Sequence, residues 1–165
     1  MGRLSKIIRR VQASKSHKLS ELAIFGGLNT RYKTLYGGTM KYTSIADFER
    51  DVTASPLEAL AHLYLINTKD ETEGFRLTEK LVKKMVGDND SALMVRRFDM
   101  ASGASIEAVI GELANIPFIT PYTVVVVTHG ENLNANQKKS LERYYENSNK
   151  DAYLIITAGM ISATT

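Results

Sequence analysis

The run Ile116-Pro117-Phe118-Ile119-Thr120-Pro121-Tyr122-Thr123-Val124-Val125-Val126-Val127-Thr128 decides the fold, because its second half is the most β-prone stretch of the chain. Four consecutive valines carry stiff, branched side chains that suit a strand buried on both faces, as in a parallel sheet covered by helices. The first half is of another kind, an apolar elbow containing two prolines.

Upstream of the elbow, Ser105 is placed to cap a helix in which Ile106, Val109, Ile110 and Leu113 recur at helical spacing, and Pro117 ends it. Before that, Ala92 to Phe98 predicts a strand. Glu71 to Val86 predicts an amphipathic helix with Phe75, Leu77, Leu81, Val82 and Met85 on its apolar face and Gly87 as its stop. Ala61 to Ile66 is an apolar run of strand length, followed by the polar turn Asn67-Thr68-Lys69-Asp70. Ser44 caps a further helix with Ile45, Phe48 and Val52 on one side, closed by Ser55-Pro56. Downstream of the valines, Asn134 to Asn147 predicts a helix and Tyr153 to Ala158 a last strand. Strands alternate with helices of crossover length, which predicts an α/β fold with a parallel sheet flanked by helices.

A chain of 165 residues, 44% apolar and 24% charged, suffices for one domain with a real core. It has no cysteine, so disulfides, thiolate zinc sites and cysteine nucleophiles are excluded. Three scattered histidines, His17, His62 and His129, leave little material for a metal site, and neither metal nor cofactor is expected. No apolar run approaches the roughly 18 residues that span a bilayer, and no secretory core opens the chain, so a cytoplasmic protein without a membrane partner is expected.

Charge divides the chain in two. Residues 1–39 hold eight Lys/Arg against one acid, a balance of +7, while residues 40–165 hold thirteen against seventeen, a balance of −4. Ser5 to Val11 and Leu19 to Phe25 suggest short amphipathic helices there, punctuated by Gly26-Gly27 and Gly37-Gly38. The first 39 residues therefore read as a basic extension outside the core, and residues 40–165 as the domain proper. One use of such an extension is nucleic-acid binding, with Arg3, Arg9, Arg10 and Lys18 as contacts.

Catalytic patterns fail where they are tested. The turn after the first α/β strand would carry a glycine-rich phosphate cradle in a nucleotide-binding domain, yet Asn67 to Gly74 offers one glycine and the carboxylates Asp70, Glu71 and Glu73, which repel a triphosphate. Lys69 is misplaced for the lysine-Ser/Thr pair of a P-loop. At the tip of the valine strand, Thr128-His129-Gly130-Glu131 lacks the aspartate that holds a magnesium ion's water shell. Ser102-Gly103-Ala104-Ser105 is not a nucleophile elbow. His129 reads as a solvated loop histidine in preference to a general base, and Arg96 and Arg97, on opposite sides of a strand, as charges at its rim.

The elbow remains. Phe118 either turns inward to cap the core, as most phenylalanines do, or stands out as an apolar wedge that two prolines preorganise for a pocket on a partner. From Met40 onward the chain resembles the amino-terminal domain of the delta subunit of bacterial DNA polymerase III, part of the clamp loader. The resemblance is carried by Met40-Lys41-Tyr42, the helix to Val52, Leu63-Tyr64-Leu65-Ile66-Asn67 with Glu71, the helix of Leu77 and Leu81, and the elbow with Tyr122 and the valines. It implies a three-layer P-loop or AAA+-like domain without a functional P-loop, no catalysis, and a part in replication. The resemblance further implies that an apolar pair at the elbow inserts into a pocket of the ring-shaped sliding clamp and helps to open one of its interfaces. The matching positions are Pro117 and Phe118, flanked by Ile116 and Ile119; Pro117 and Ile119 depart from the family's commoner leucine and phenylalanine, and Pro121 from a basic residue. The sequence ends soon after the last expected strand, so it resembles a fragment, with the lid and collar domains that would join other loader subunits lying elsewhere. DNA would be an indirect partner.

Overall fold

The computed structural model describes residues 8–14, 39–42, 44–68, 70–87 and 91–159. Its centre is a parallel sheet of four strands, β3 (Leu63–Thr68), β4 (Val95–Asp99), β5 (Thr123–Thr128) and β6 (Ala152–Ala158). Two further strands, β1 (Ile8–Ser14) and β2 (Thr39–Tyr42), extend it at one side, giving the order β2-β1-β3-β6-β5-β4. β1 runs antiparallel to both neighbours, with Val11 opposite Ile66 of β3 and Tyr42 of β2. The parallel pairs set Leu65 beside Ile156, Val126 beside Ile155 and Arg97 beside Val126.

The valine run forms the middle of β5 and supplies both sides of the core, because successive strand side chains alternate. Val124 and Val126 pack with Tyr64, Ile66 and Ile155 under α1 (Ile45–Ala54) and α2 (Glu71–Val86). Val125 and Val127 pack with Leu65, Leu154 and Ile156 under α3 (Ile106–Ala114) and α4 (Ala135–Tyr145). The result is three layers, helix on sheet on helix. Phe48, Leu77, Leu81, Val109, Leu113 and Leu141 are all fully buried and fix the helices to the two faces.

The helix boundaries follow their caps. Ser44 accepts from the Asp47 amide at 3.1 Å, Ser105 from the Ala108 amide at 3.3 Å, and Asn134 exchanges hydrogen bonds with Gln137 in a capping box. Gly87, at φ 65°, ends α2 in a conformation that side chains rarely adopt. Arg96 and Arg97 do face opposite sides of β4, pairing with Glu112 of α3 at 3.6 Å and Glu79 of α2 at 2.7 Å.

Several expectations are corrected. β3 lies two residues later than the apolar run suggests, taking in Asn67 and Thr68. β4 is shorter than expected, because Ser91–Met94 form a helical turn before it. Phe75 does not join the buried face of α2; it is 63% exposed. The described part of the helix expected over Ser5–Val11 is strand, since β3 offers an unpaired edge and pairing overrides weak local preference. Arg9 and Arg10 lie on that strand. Arg3, Lys18, the helix expected over Leu19–Phe25, the glycine pairs and Lys69 fall outside the described residues.

Candidate functional site

The elbow occupies the amino-terminal end of β5, and its two roots are anchored. On the α3 side, the Asn115 amide closes the helix on Gly111 O, while the Asn149 side chain donates to Leu113 O and Asn115 O, each at 3.2 Å. On the β5 side, Thr120 donates to Tyr122 O at 3.2 Å, and the Tyr122 hydroxyl donates to Met85 O at the end of α2. Tyr122 also packs edge-on to Tyr153 at 5.3 Å. Between these roots the apex stands clear of the body. Phe118 is 103% exposed, Ile119 84% and Ile116 67%, with Pro117 half-exposed. The inward-turned alternative for Phe118 is therefore not the conformation adopted. Of five large apolar side chains on the described surface, three fall within these four residues, which makes a concentrated patch instead of scattered exposure.

The opposite end of the sheet holds a cleft. After β3 the chain crosses one face through α2 to the far edge, then returns strand by strand over the other face, so the crossovers change sides between β3 and β6. In open α/β sheets ligands lie outside the carboxyl ends of the strands at such a point. A cleft of about 190 Å³ is found there, between Thr68, Thr157 and His129 at the strand tips and Glu71 and Phe75 on α2.

At the start of α2, two backbone amides that border the cleft already have an acceptor within the chain. Only two residues separate β3 from α2, and the N-cap carboxylate of Asp70 accepts from the Thr72 and Glu73 amides at 2.9 and 3.3 Å. Those are the amides that would otherwise greet an anion at a helix start. Gly74 lets α2 rest directly on β3, since a Cβ there would come 2.9 Å from Thr68 Cγ2.

His129 is a partly exposed loop histidine, as expected, but its ring is held between two carboxylates. Its backbone is left-handed (φ 56°, ψ 46°), an arrangement that costs a side-chain-bearing residue about 1 kcal/mol or more. Its Nδ1 lies 2.6 Å from Asp99 Oδ1 and its Nε2 3.2 Å from Glu71 Oε1. Asp99 is held in turn by the Ala101 amide and the Ser102 hydroxyl, both at 2.9 Å. The Asp99 hydrogen bond raises the His129 pKa above its ordinary value, with Glu71 adding to it, and the same bond is the main cause that lowers Asp99. With both ring nitrogens facing carboxylates, the imidazole is not set up as a base toward a nucleophile. Nearby, Glu131 accepts from the Gly159 amide at 2.9 Å and ties the turn after β5 to the end of β6. Among the described residues no cluster of three His, Asp or Glu side chains is arranged to hold a metal ion. Sequence reading missed this histidine bridge, for its partners lie 30 and 58 residues away along the chain.

Comparison with known families decides the wider question: residues 64–162 match the family described as DNA polymerase III, delta subunit. The chain belongs to that family. The match runs from the second residue of β3 past the end of β6, taking in nearly all of the parallel sheet with its crossover helices and the elbow. No curated protein matches the chain. Delta-family membership places it in the clamp-loader context of DNA replication. No helix among the described residues is long and apolar enough to cross a membrane.

Proposed function

We propose that this domain binds the replication sliding clamp through the elbow Ile116, Pro117, Phe118 and Ile119, with Phe118 as the inserted anchor. The observation that carries this reading is the full exposure of Phe118 on an apex whose roots are tied down. An exposed aromatic on a preorganised loop loses little entropy when it enters a pocket, and it gains the burial that monomeric folding denies it. Ile116 and Ile119 widen the apolar contact around it. Binding of the Phe118→Ala chain to a purified clamp, set beside its unfolding curve, tests the assignment; a normally binding variant would return the elbow to mere surface.

The domain serves as a silent member of its assembly, taking up no nucleotide. Asp70 on the amides of the α2 start, the two-residue β3–α2 junction and the contact of Gly74 with Thr68 all support that reading. Titration with a fluorescent ATP analogue and magnesium should give no saturable signal. A saturating one would remove this part of the proposal and leave the elbow untouched.

A second reading rests on the +7 balance of residues 1–39, with Arg3, Arg9, Arg10 and Lys18 on nucleic acid. Binding of that origin weakens steeply with salt, because phosphate contacts release counterions. Flat salt dependence would dismiss it.

A further inference from the structure

We propose that His129 is a proton-operated clip across the mouth of the cleft: it holds the start of α2 to the tip of β5 while both ring nitrogens carry protons, and lets go when one is lost. The argument is a count of donors. Asp99 Oδ1 and Glu71 Oε1 are both carboxylate oxygens, and they face the two nitrogens of one ring at 2.6 and 3.2 Å. A neutral imidazole has a single N–H, so only the imidazolium donates to both.

Which arm breaks follows from the surroundings. Asp99 makes the shorter contact and is fixed by the Ala101 amide and the Ser102 hydroxyl, so the remaining proton stays on Nδ1. The Nε2 lone pair then faces the Glu71 carboxylate, acceptor against acceptor. Glu71 has a side chain that is 84% exposed and swings into water readily. The ionisable groups acting on the ring are carboxylates from each adjoining element: Asp99 at the β4 tip, Glu71 on α2 and Glu131 in the turn after β5. β3 and β6 contribute Thr68 and Thr157 to the same cleft, which do not titrate. This carboxylate field favours the charged ring and moves release above the ordinary imidazole range.

Glu71 and Phe75 stand four residues apart on α2 and therefore share a side of it, and both line the cleft. Release of the Glu71 arm thus frees the rim beside the exposed Phe75 ring.

NMR on the full isotope-labelled chain tests the proposal, with the His129 ring signals identified by their loss in His129→Gln. In the wild type, the nuclear Overhauser contact between the His129 ring and the Glu71 side chain should be present below the His129 midpoint and lost above it. That midpoint should lie above the ordinary value of about 6.5. In Glu71→Gln the new amide can donate to the neutral Nε2, so the contact should survive on the alkaline side. In Asp99→Asn the midpoint should fall. A wild-type contact indifferent to pH, or absent throughout, overturns the clip; so does a Glu71→Gln contact that disappears at the same midpoint.

Discussion

Phe118→Ala separates a binding residue from a core residue by where the free energy appears. With its side chain fully exposed, Phe118 contributes almost nothing to the fold, and the variant should unfold within about 0.5 kcal/mol of the wild type. Leu81, with no exposure beneath α2, is the comparison: Leu81→Ala removes packed methyl groups and should cost about 2–5 kcal/mol of stability. For binding the order reverses. A phenylalanine ring can bury roughly 150–250 Å², which at about 25 cal/mol/Å² bounds the gain near 4–6 kcal/mol. Truncation of a central anchor more commonly costs about 2–4 kcal/mol, a Kd weakened roughly 30- to 1,000-fold. Calorimetric titration of each variant into purified clamp, beside urea unfolding of the same samples, reads both numbers. If Phe118→Ala bound within a factor of two of the wild type, or lost stability as Leu81→Ala does, the assignment of the elbow would be wrong.

Other perturbations address the opposite end of the sheet. Gly130→Ala would place a Cβ 2.6 Å from Ile156 Cγ2 and 3.2 Å from Thr157 O, so urea unfolding should show a loss of about 1–3 kcal/mol. Asp70→Ala strips the cap from α2 and should cost about 1 kcal/mol, most of it restored in Asp70→Asn, whose side-chain oxygen also accepts from the helix amides. The pH dependence of stability follows from two opposite shifts. His129, with its folded pKa raised, contributes fully below about 6.5 and loses its contribution as pH rises through the higher folded value. Asp99, with its folded pKa lowered, contributes above 3.8 and loses its contribution as pH falls through the lower folded value. Thermal melts should therefore show the bridge's stabilisation in mildly acidic solution, and His129→Gln should flatten the decline on the alkaline side.

What the sequence made legible was local. The serine and asparagine caps, Gly87 and the helical spacing of Leu77, Leu81 and Val109 each depend on neighbours within a turn or two, and those elements stand where they were expected. The valine run was legible for a different reason: four consecutive branched side chains favour extended backbone and need cover on both faces, which a central strand of a helix-flanked sheet has. β1 was not legible, because IRRVQAS has only a weak pattern and becomes a strand through the edge that β3 presents. Phe75 was misread by periodicity alone; the cleft beside it leaves no layer for its ring to enter. Phe118 was undecided because chemistry gives an aromatic ring the same preference for a core as for a partner's pocket. Only the position of the apex relative to the finished body separates the two.

The two ends of the sheet present different surfaces. Open α/β sheets receive ligands at the carboxyl ends of their strands, where loops and helix starts offer unpaired amides. Here two of those amides are taken by Asp70, the helix lies directly on β3 through Gly74, and a histidine bridges the rim. The amino-terminal end is ordinarily the quieter side, and it is here that the elbow projects. Its roots borrow rigidity from both helical layers, through Tyr122 on the end of α2 and Asn149 on the end of α3. The clamp contact proposed for Phe118 would draw on that anchoring, since a loop already held in place loses less entropy on docking than a free one.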